Sequence, residues 1–270
     1  MNMDRSCRTA FGILVIDKDP VAESEFWAMA PPGVIMNTAR FESPRKPGTS
    51  DYGEDPARVV AESSDVARGL DFLGQMRLDV ICVCFTTSSF FGGVDFDKTF
   101  AEQARGKAHG TPVVTAAQAT ITAMNAVGIT RPFVVIPPWF KDEIAEAGRG
   151  YFIQAGFELS GLHRFKLGRG WHDLQPWETW DAGAQWVIHP QEVYQQVRRA
   201  VPTSSDGVVI AGNGFRCIDA INLLEADLGL PVVTSNQACL WHCLHRAAVS
   251  ATVPGYGRLF ATGSEAVVWA

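Results

Sequence analysis

Short apolar runs recur along the chain and alternate with longer segments of helical periodicity. The runs predict eight strands: 11–16, 34–39, 79–85, 111–115, 132–137, 157–163, 207–211 and 230–234. The longest runs are apolar at nearly every position, which fits strands buried on both faces. Alternating strands and helices predict an α/β fold with parallel sheets.

Two segments between the predicted strands carry apolar residues about one helical turn apart. In residues 55–76 these are Val59, Val66, Leu70 and Leu73. In residues 217–229 they are Ile218, Ile221, Leu224 and Leu228. Gly229 follows the second series, where glycine commonly ends a helix. Both segments are predicted to be helical.

The pattern of the first half of the chain returns in the second half. Three pairs of segments keep their order at offsets of 119 to 127 residues, and their starts are Phe11 and Phe133, Asp79 and Asp206, and Pro112 and Pro231. The repeat predicts two pseudosymmetric, Rossmann-like domains, each with a four-stranded parallel sheet flanked by helices. We expect the active site in the cleft between them, at the carboxyl ends of the strands.

The same repeat suggests domain boundaries. Residues 1–117 would form the N-terminal half, completed by the C-terminal segment 236–270. Residues 118–235 would form the C-terminal half.

Composition and charge narrow the classes of function. The chain has 270 residues, a net charge of −6 and no basic stripe, so we expect no nucleic-acid partner. The apolar runs are too short to span a bilayer, so no membrane partner is expected. Residues 1–10 contain no apolar signal core, which favours a cytoplasmic protein. The sequence leaves open whether the protein forms a homo-oligomer.

Six cysteines are present, and none forms a CxxC pair: Cys7, Cys82, Cys84, Cys217, Cys239 and Cys243. This usage favours reduced thiols over a disulfide scaffold. The run CLWHCLH contains Cys239, His242, Cys243 and His245 at a spacing that would make half of a zinc site. A second ligand cluster is not visible in the sequence. We therefore expect a packed helix there, with no metal and no cofactor.

Two loops after predicted strands are suited to bind an anion. Thr86, Thr87 and Ser88 follow strand 79–85 and would offer hydroxyls and N–H groups at the start of a helix. The alternative is a hydroxyl-rich helix cap.

The loop after strand 207–211 contains Gly212, Asn213 and Gly214, whose backbone can approach a ligand closely. Arg216 would either pair with a carboxylate or lie on the surface.

The first strands of the two halves end in different chemistry. Lys18 and Asp19 follow strand 11–16, where the alternative to a site is a solvated turn. Trp139 follows strand 132–137, where the alternative is core packing. The tryptophan-rich segment 168–186 would form a lid, one wall of the pocket or an aromatic surface helix.

Several longer segments resemble the aspartate/glutamate racemase superfamily, in the branch of arylmalonate decarboxylase and maleate isomerase. These segments include DVICVCFTTSSFFGG, TPVVTAAQATITAM, GFRCIDAINLLEADLG and PGYGRLF. The resemblance implies two pseudosymmetric four-stranded domains with the site between them. The resemblance also implies that racemases and isomerases of this family use two catalytic cysteines, one after the third strand of each half. The decarboxylase keeps only the second of these cysteines.

This sequence departs from the family pattern at both cysteine positions. They fall on Phe85 and Gly212, so racemisation by two thiols is not expected. Cys84 is adjacent to Phe85, but neighbouring strand residues point to opposite faces. Cys217 is expected inside a helix. Neither is expected to substitute for the missing thiols.

The resemblance implies roles for the residues that remain. Thr86 and Thr87 match the hydroxyl pair of the decarboxylase's oxyanion hole, and Trp139 occupies the position of its site tyrosine. Asp19 falls where maleate isomerases carry a carboxylate-binding asparagine, and here it would act as an acid or base.

Three hypotheses for function follow. The first is a cysteine-independent enzyme that decarboxylates a small carboxylic acid through an oxyanion-stabilised, enolate-like intermediate, with Asp19, Thr86 and Thr87 as catalytic residues. The second is a hydrolase or hydratase with a water in the space left by the missing thiol. The third is a non-catalytic protein that binds a small acid. In each case Lys18, Phe85, Ser88, Trp139, Gly212, Asn213, Gly214 and Arg216 are the predicted contacts to the ligand.

Overall fold

A computed structural model describes residues 9–46, 48–249 and 252–262. The first half contains β1 (Thr9–Ile16), α1 (Val21–Met29), β2 (Val34–Phe41), α2 (Pro56–Glu62), α3 (Ser64–Gln75), β3 (Val80–Cys84), α4 (Thr86–Lys107), β4 (Val113–Thr115) and α5 (Ala116–Ala126). The second half contains β5 (Pro132–Ile136), α6 (Asp142–Gln154), β6 (Gly161–Arg164), α7 (Pro176–Asp181), α8 (Ala184–Val187), α9 (Pro190–Ala200), β7 (Gly207–Ile210), α10 (Ile221–Leu228), β8 (Val232–Thr234) and α11 (Ser235–Arg246). Cys7 lies outside the described residues.

Both halves have the same sheet. The strand orders are β2-β1-β3-β4 and β6-β5-β7-β8, and every pairing is parallel. The predicted fold is confirmed. The central strands β3 and β5 are buried along their whole length, as expected where helices cover both faces.

One predicted strand begins too early. The run 157–163 contains apolar residues, but β6 starts only at Gly161. Phe157 is buried in the core and Leu159 packs against it. Both therefore contribute to packing from the loop before the strand, which a periodicity argument does not separate from the strand itself.

The segment predicted as one helix at 55–76 is two helices. Ser63 ends α2, and its side chain accepts a hydrogen bond from the Val66 N–H at the start of α3. This break changes the helical phase, so Val59 is 39% exposed and Val60 is buried instead. The prediction of one continuous helix is therefore wrong, and Val59 lies outside the buried face of α2.

The second helical prediction holds. Residues Ile218–Ala220 form a 3₁₀ turn that leads into α10. Gly229 ends α10 with φ of 68°, a left-handed conformation that glycine adopts without strain.

The C-terminal helix joins the two halves. α11 follows β8 of the second sheet but packs against β3 of the first sheet, and against α1 and α5. Its Trp241 is fully buried in a core cluster that includes residues of both sheets. This packing supports the predicted completion of the first half by the C-terminal segment, while the exact boundaries stay a prediction. No helix in the described part of the chain is long and apolar enough to cross a membrane.

Candidate active site

A pocket lies where the strands of both sheets end. Residues that follow β1, β3, β5 and β7 line it: Asp19, Phe85, Thr86, Thr87, Trp139, Gly212, Asn213 and Gly214. All eight were predicted as site residues. Parallel strands bring the loops at their carboxyl ends together, which is why residues far apart in sequence share this pocket.

The N-terminus of α4 reaches the pocket through Thr86 and Thr87. α4 starts directly after Phe85, and within the described residues no side chain caps its first N–H groups. An uncapped helix start offers several N–H donors and the positive end of the helix dipole. It can therefore hold a carboxylate or a developing oxyanion.

Asp19 has one satisfied and one unsatisfied carboxyl oxygen. Its Oδ1 accepts hydrogen bonds from the N–H groups of Val21 (2.7 Å) and Ala22 (3.3 Å) at the start of α1. Its Oδ2 is buried and has no hydrogen-bond partner among the described residues. Burial raises the pKa of Asp19 to about 6, against the opposing effect of those backbone bonds. Asp19 is thus a buried acid at the pocket whose carboxyl group titrates closer to neutral pH than an ordinary aspartate.

The loop after β7 is held by hydrogen bonds from α11. The Gly212 N–H donates to Ser235 Oγ (3.0 Å). Asn213 Nδ2 donates to Asn236 Oδ1 (2.9 Å), and Asn236 Nδ2 donates back to the Asn213 carbonyl (2.8 Å). Asn213 Oδ1 is buried without a partner among the described residues. The loop is fixed, and one of its polar atoms remains available.

Gly212 cannot readily be replaced by a residue with a side chain. Its φ is +103°, and a Cβ there would lie 3.1 Å from Pro137 Cγ. The backbone at this position therefore favours glycine.

Glu25 is a buried residue that the sequence analysis did not single out. Its Oε1 accepts from the N–H groups of Cys217 (2.7 Å) and Ile218 (3.2 Å), and its Oε2 accepts from Asn236 Nδ2 (2.7 Å). Burial raises the pKa of Glu25 to about 7. Its signal in the sequence is a carboxylate on the buried face of α1, beside Ala22, Phe26 and Met29.

Aromatic side chains form one wall of the pocket. Trp139 and Trp180 pack edge to face with ring centroids 4.9 Å apart. Trp177, Trp180 and Tyr52 line the pocket as well. The segment 168–186 therefore contributes a wall through Trp177 and Trp180, while Trp186 is exposed. This wall suits an apolar or aromatic substituent.

Two cations also line the pocket, and sequence reasoning missed both. Arg45 is buried, lies 5.4 Å from the Trp177 ring centroid and forms an ion pair with Asp181. Lys141 precedes α6, and its Nζ lies 3.8 Å from Glu143 Oε2. Both residues lie in loops, and the sequence around them contains no motif that would identify them as site residues.

Three predicted contacts do not reach the pocket. Lys18 and Arg216 are exposed and do not line it. Lys18 lies in the turn before Asp19, and Arg216 follows Phe215, whose ring takes the inward position. Ser88 Oγ donates to the Phe85 carbonyl (3.2 Å), so its hydroxyl is used within α4.

The cysteines near the site differ in position. Phe85 packs edge to face on Phe41 (5.6 Å between centroids) and lines the pocket. Cys84 faces the other side of the sheet, as expected, yet it also reaches the pocket because it ends β3. Cys217 is buried and does not line the pocket.

The expectation that Cys239 has no second ligand cluster is wrong. Its Sγ lies within 4.8 Å of those of Cys82 and Cys84, and these two thiols come from β3 in the other half.

Comparison with known proteins gives a family and a fold. The arylmalonate decarboxylase family model matches residues 53–260. The arylmalonate decarboxylase of Bordetella bronchiseptica is 28% identical over 203 residues, which cover 75% of this chain and 78% of that protein.

Solved structures resemble the chain over nearly its whole length. The maleate isomerase Iso from Pseudomonas putida gives a TM-score of 0.78 at 22% identity, over 95% of this chain and 99% of that chain. An unliganded arylmalonate decarboxylase gives 0.74 at 22% identity, over 94% and 99%. A maleate cis-trans isomerase from Nocardia farcinica, with a covalently bound succinylcysteine intermediate, gives 0.75 at 16% identity, over 93% and 98%. Because the family model covers most of the sequence, the chain belongs to the arylmalonate decarboxylase family.

Proposed function

We propose that this protein decarboxylates a small carboxylic acid with an apolar or aryl substituent, without a cysteine at either family position. The observation that carries the proposal is Asp19. Its Oδ2 is buried without a partner among the described residues, its pKa is about 6, and it lines the same pocket as the uncapped start of α4. These features support a role for Asp19 as the proton donor.

Substrate binding uses the two kinds of wall. A carboxylate is held by the first N–H groups of α4 and by the charge of Lys141. Arg45 is hydrogen-bonded to Asp181, whereas Lys141 makes only a long ion pair with Glu143 (3.8 Å). The substituent packs against Trp139 and Trp180. A malonate with an aryl or alkyl group on its central carbon combines both features.

The reaction breaks the bond between the central carbon and one carboxyl group. Carbon dioxide leaves, and the electron pair stays behind as an enediolate on the remaining carboxylate. The hydroxyls and N–H groups of Thr86 and Thr87 stabilise that negative charge, together with the N–H groups of Asn213 and Gly214. Asp19 then gives its proton to the central carbon and is reprotonated by water.

The geometry favours this reaction over hydrolysis or hydration. Those reactions need a water in the space left by the missing thiol at Gly212. Pro137 already lies within 3.1 Å of where the first atom of such a side chain would be. Little room is left there for an activated water.

The test is turnover of a panel of aryl- and alkylmalonates, maleate, amino acids and small amides in D₂O, followed by NMR. We expect carbon dioxide release and one deuterium on the central carbon of the product, with aryl substrates preferred. The activity should be lost in Asp19→Asn and kept in Asp17→Asn, a neighbouring acid that does not line the pocket.

The other outcomes contradict the proposal in distinguishable ways. Deuterium exchange without carbon dioxide release would indicate racemisation or isomerisation. Cleavage of an amide or hydration of maleate would indicate the water-activating alternative. Saturable binding of the acids with no product would indicate a binding protein.

A further inference from the structure

Three buried thiols converge beside the pocket. Cys82 and Cys84 alternate along β3 and therefore point to the same face of the first sheet. α11 crosses that face and brings Cys239 to them. The three Sγ atoms lie within 4.8 Å of one another, and those of Cys82 and Cys84 are 4.0 Å apart.

These separations match those of metal ligands. With a metal–sulfur bond of about 2.3 Å, three thiolates around one ion lie about 4.0 Å apart in a trigonal arrangement and about 3.8 Å apart in a tetrahedral one. The three sulfur atoms thus need only small shifts to share one ion.

The surroundings of the cluster suit ligands rather than inert packing. Asn213 Nδ2 lies 3.9 Å from Cys239 Sγ and donates to it, as an outer-shell partner of a thiolate would.

An ion has a route to the cluster. Cys84 lines the pocket, while Cys82 and Cys239 lie behind it in the core. A cation that enters the pocket would therefore meet one thiol first and the other two next.

We propose that Cys82, Cys84 and Cys239 form a binding site for a soft, thiophilic divalent cation of the Zn²⁺ type. Thiolate sets select such ions over Mg²⁺ or Ca²⁺. Binding replaces S–H bonds with metal–sulfur bonds and releases the protons to solvent, without change of oxidation state. The proposal concerns metal binding alone and does not rest on the decarboxylation.

The test is titration of the reduced, full-length protein with Zn²⁺ by calorimetry, with Mg²⁺ titrated in parallel. We expect one Zn²⁺ per chain, proton release that grows as pH falls, and no binding of Mg²⁺. Affinity should fall more than about 100-fold in Cys82→Ser and Cys239→Ser, because loss of an outer-shell partner alone costs 10–100-fold. Cys217→Ser, another buried cysteine outside the cluster, should bind as the wild type does.

A second measurement keeps the proposal testable if a variant fails to fold. Cobalt-loaded wild-type protein should show the absorption of thiolate-to-metal charge transfer, and anomalous scattering from its crystals should lie among the three sulfur atoms. The proposal is overturned by a wild type that does not bind Zn²⁺, by equal loss in Cys217→Ser, or by cobalt bound elsewhere without thiolate absorption.

Discussion

The two halves share one sheet topology but present their helix starts in opposite ways. In the first half, α4 begins directly after β3, and its first N–H groups are uncapped and border the pocket. In the second half, the N–H groups of Cys217 and Ile218, at the turn into α10, are already bound to the Glu25 carboxylate. In the second half, a carboxylate of the protein therefore accepts the backbone hydrogen bonds of the turn. In the first half, the N–H groups at the start of α4 remain open to a substrate.

This difference shows how two halves with the same sheet topology come to differ at the pocket: one helix start stays open to an anion, and the other half has its turn bound to Glu25. Glu25 belongs to α1 of the first half, and it holds the second-half turn through two backbone N–H groups and Asn236. Asn236 in turn fixes Asn213 in the pocket wall. The first half leaves a helix start open at the pocket, and the second half has the turn into α10 held by Glu25.

The largest effect is expected at the uncapped N-terminus of α4. Thr87→Val removes a hydroxyl from the pocket and should lower kcat/KM about 10²–10³-fold, the usual cost of one oxyanion donor. The measurement is steady-state decarboxylation of the best substrate from the malonate panel. Thr99→Val is the matched control, because Thr99 lies on the same helix and is exposed. Equal rates in both variants would contradict the role of the Thr87 hydroxyl.

The next largest effect is expected from Glu25, whose carboxylate accepts the hydrogen bonds of the turn into α10. Glu25 has a pKa of about 7 in the folded protein against an ordinary value of 4.5, so the folded state holds this proton more tightly than the unfolded state. Its contribution is fully present below about pH 4.5 and is lost as pH rises through about 7. The loss amounts to roughly 3 kcal/mol at 1.36 kcal/mol for each pKa unit.

Glu25→Gln tests that expectation. The variant cannot ionise, so its free energy of unfolding in urea should fall less between pH 4.5 and 8 than that of the wild type. Glu23→Gln, on the same helix but more exposed, should keep the wild-type pH dependence. The same slope in all three proteins would show that Glu25 is not buried as described.

A smaller effect is expected at the wall itself. Gly212→Ala places a Cβ at positive φ and 3.1 Å from Pro137, and should destabilise the protein by about 2 kcal/mol in urea unfolding. Gly110→Ala also has positive φ but meets no atom within 4 Å, so it isolates the backbone contribution of about 1 kcal/mol. If Gly212→Ala lowers the free energy of unfolding no more than Gly110→Ala does, Pro137 does not restrict a side chain at position 212.

Sequence reasoning succeeded where local pattern determines structure. Apolar runs and their repetition predicted both sheets, and the loops after the strands predicted Asp19, Thr86, Thr87 and the Gly212–Gly214 turn. These residues follow strand ends directly, and parallel strands bring such positions together.

It failed where long-range packing decides. Arg45, Tyr52 and Lys141 reach the pocket from loops without a recognisable pattern. The meeting of Cys82 with Cys239 depends on α11 crossing into the other half, which no local spacing encodes.

The central claim is that protonated Asp19 delivers a proton to the central carbon of the substrate. The most direct measurement is kcat from pH 5 to 8 for the wild type, Asp19→Asn and Asp17→Asn. We expect the wild-type kcat to fall as pH rises through about 6, the pKa of Asp19, because the donor loses its proton. Asp19→Asn should be at least about 100-fold slower and should lack that fall, while Asp17→Asn follows the wild type. A wild-type rate and pH profile in Asp19→Asn would contradict the account.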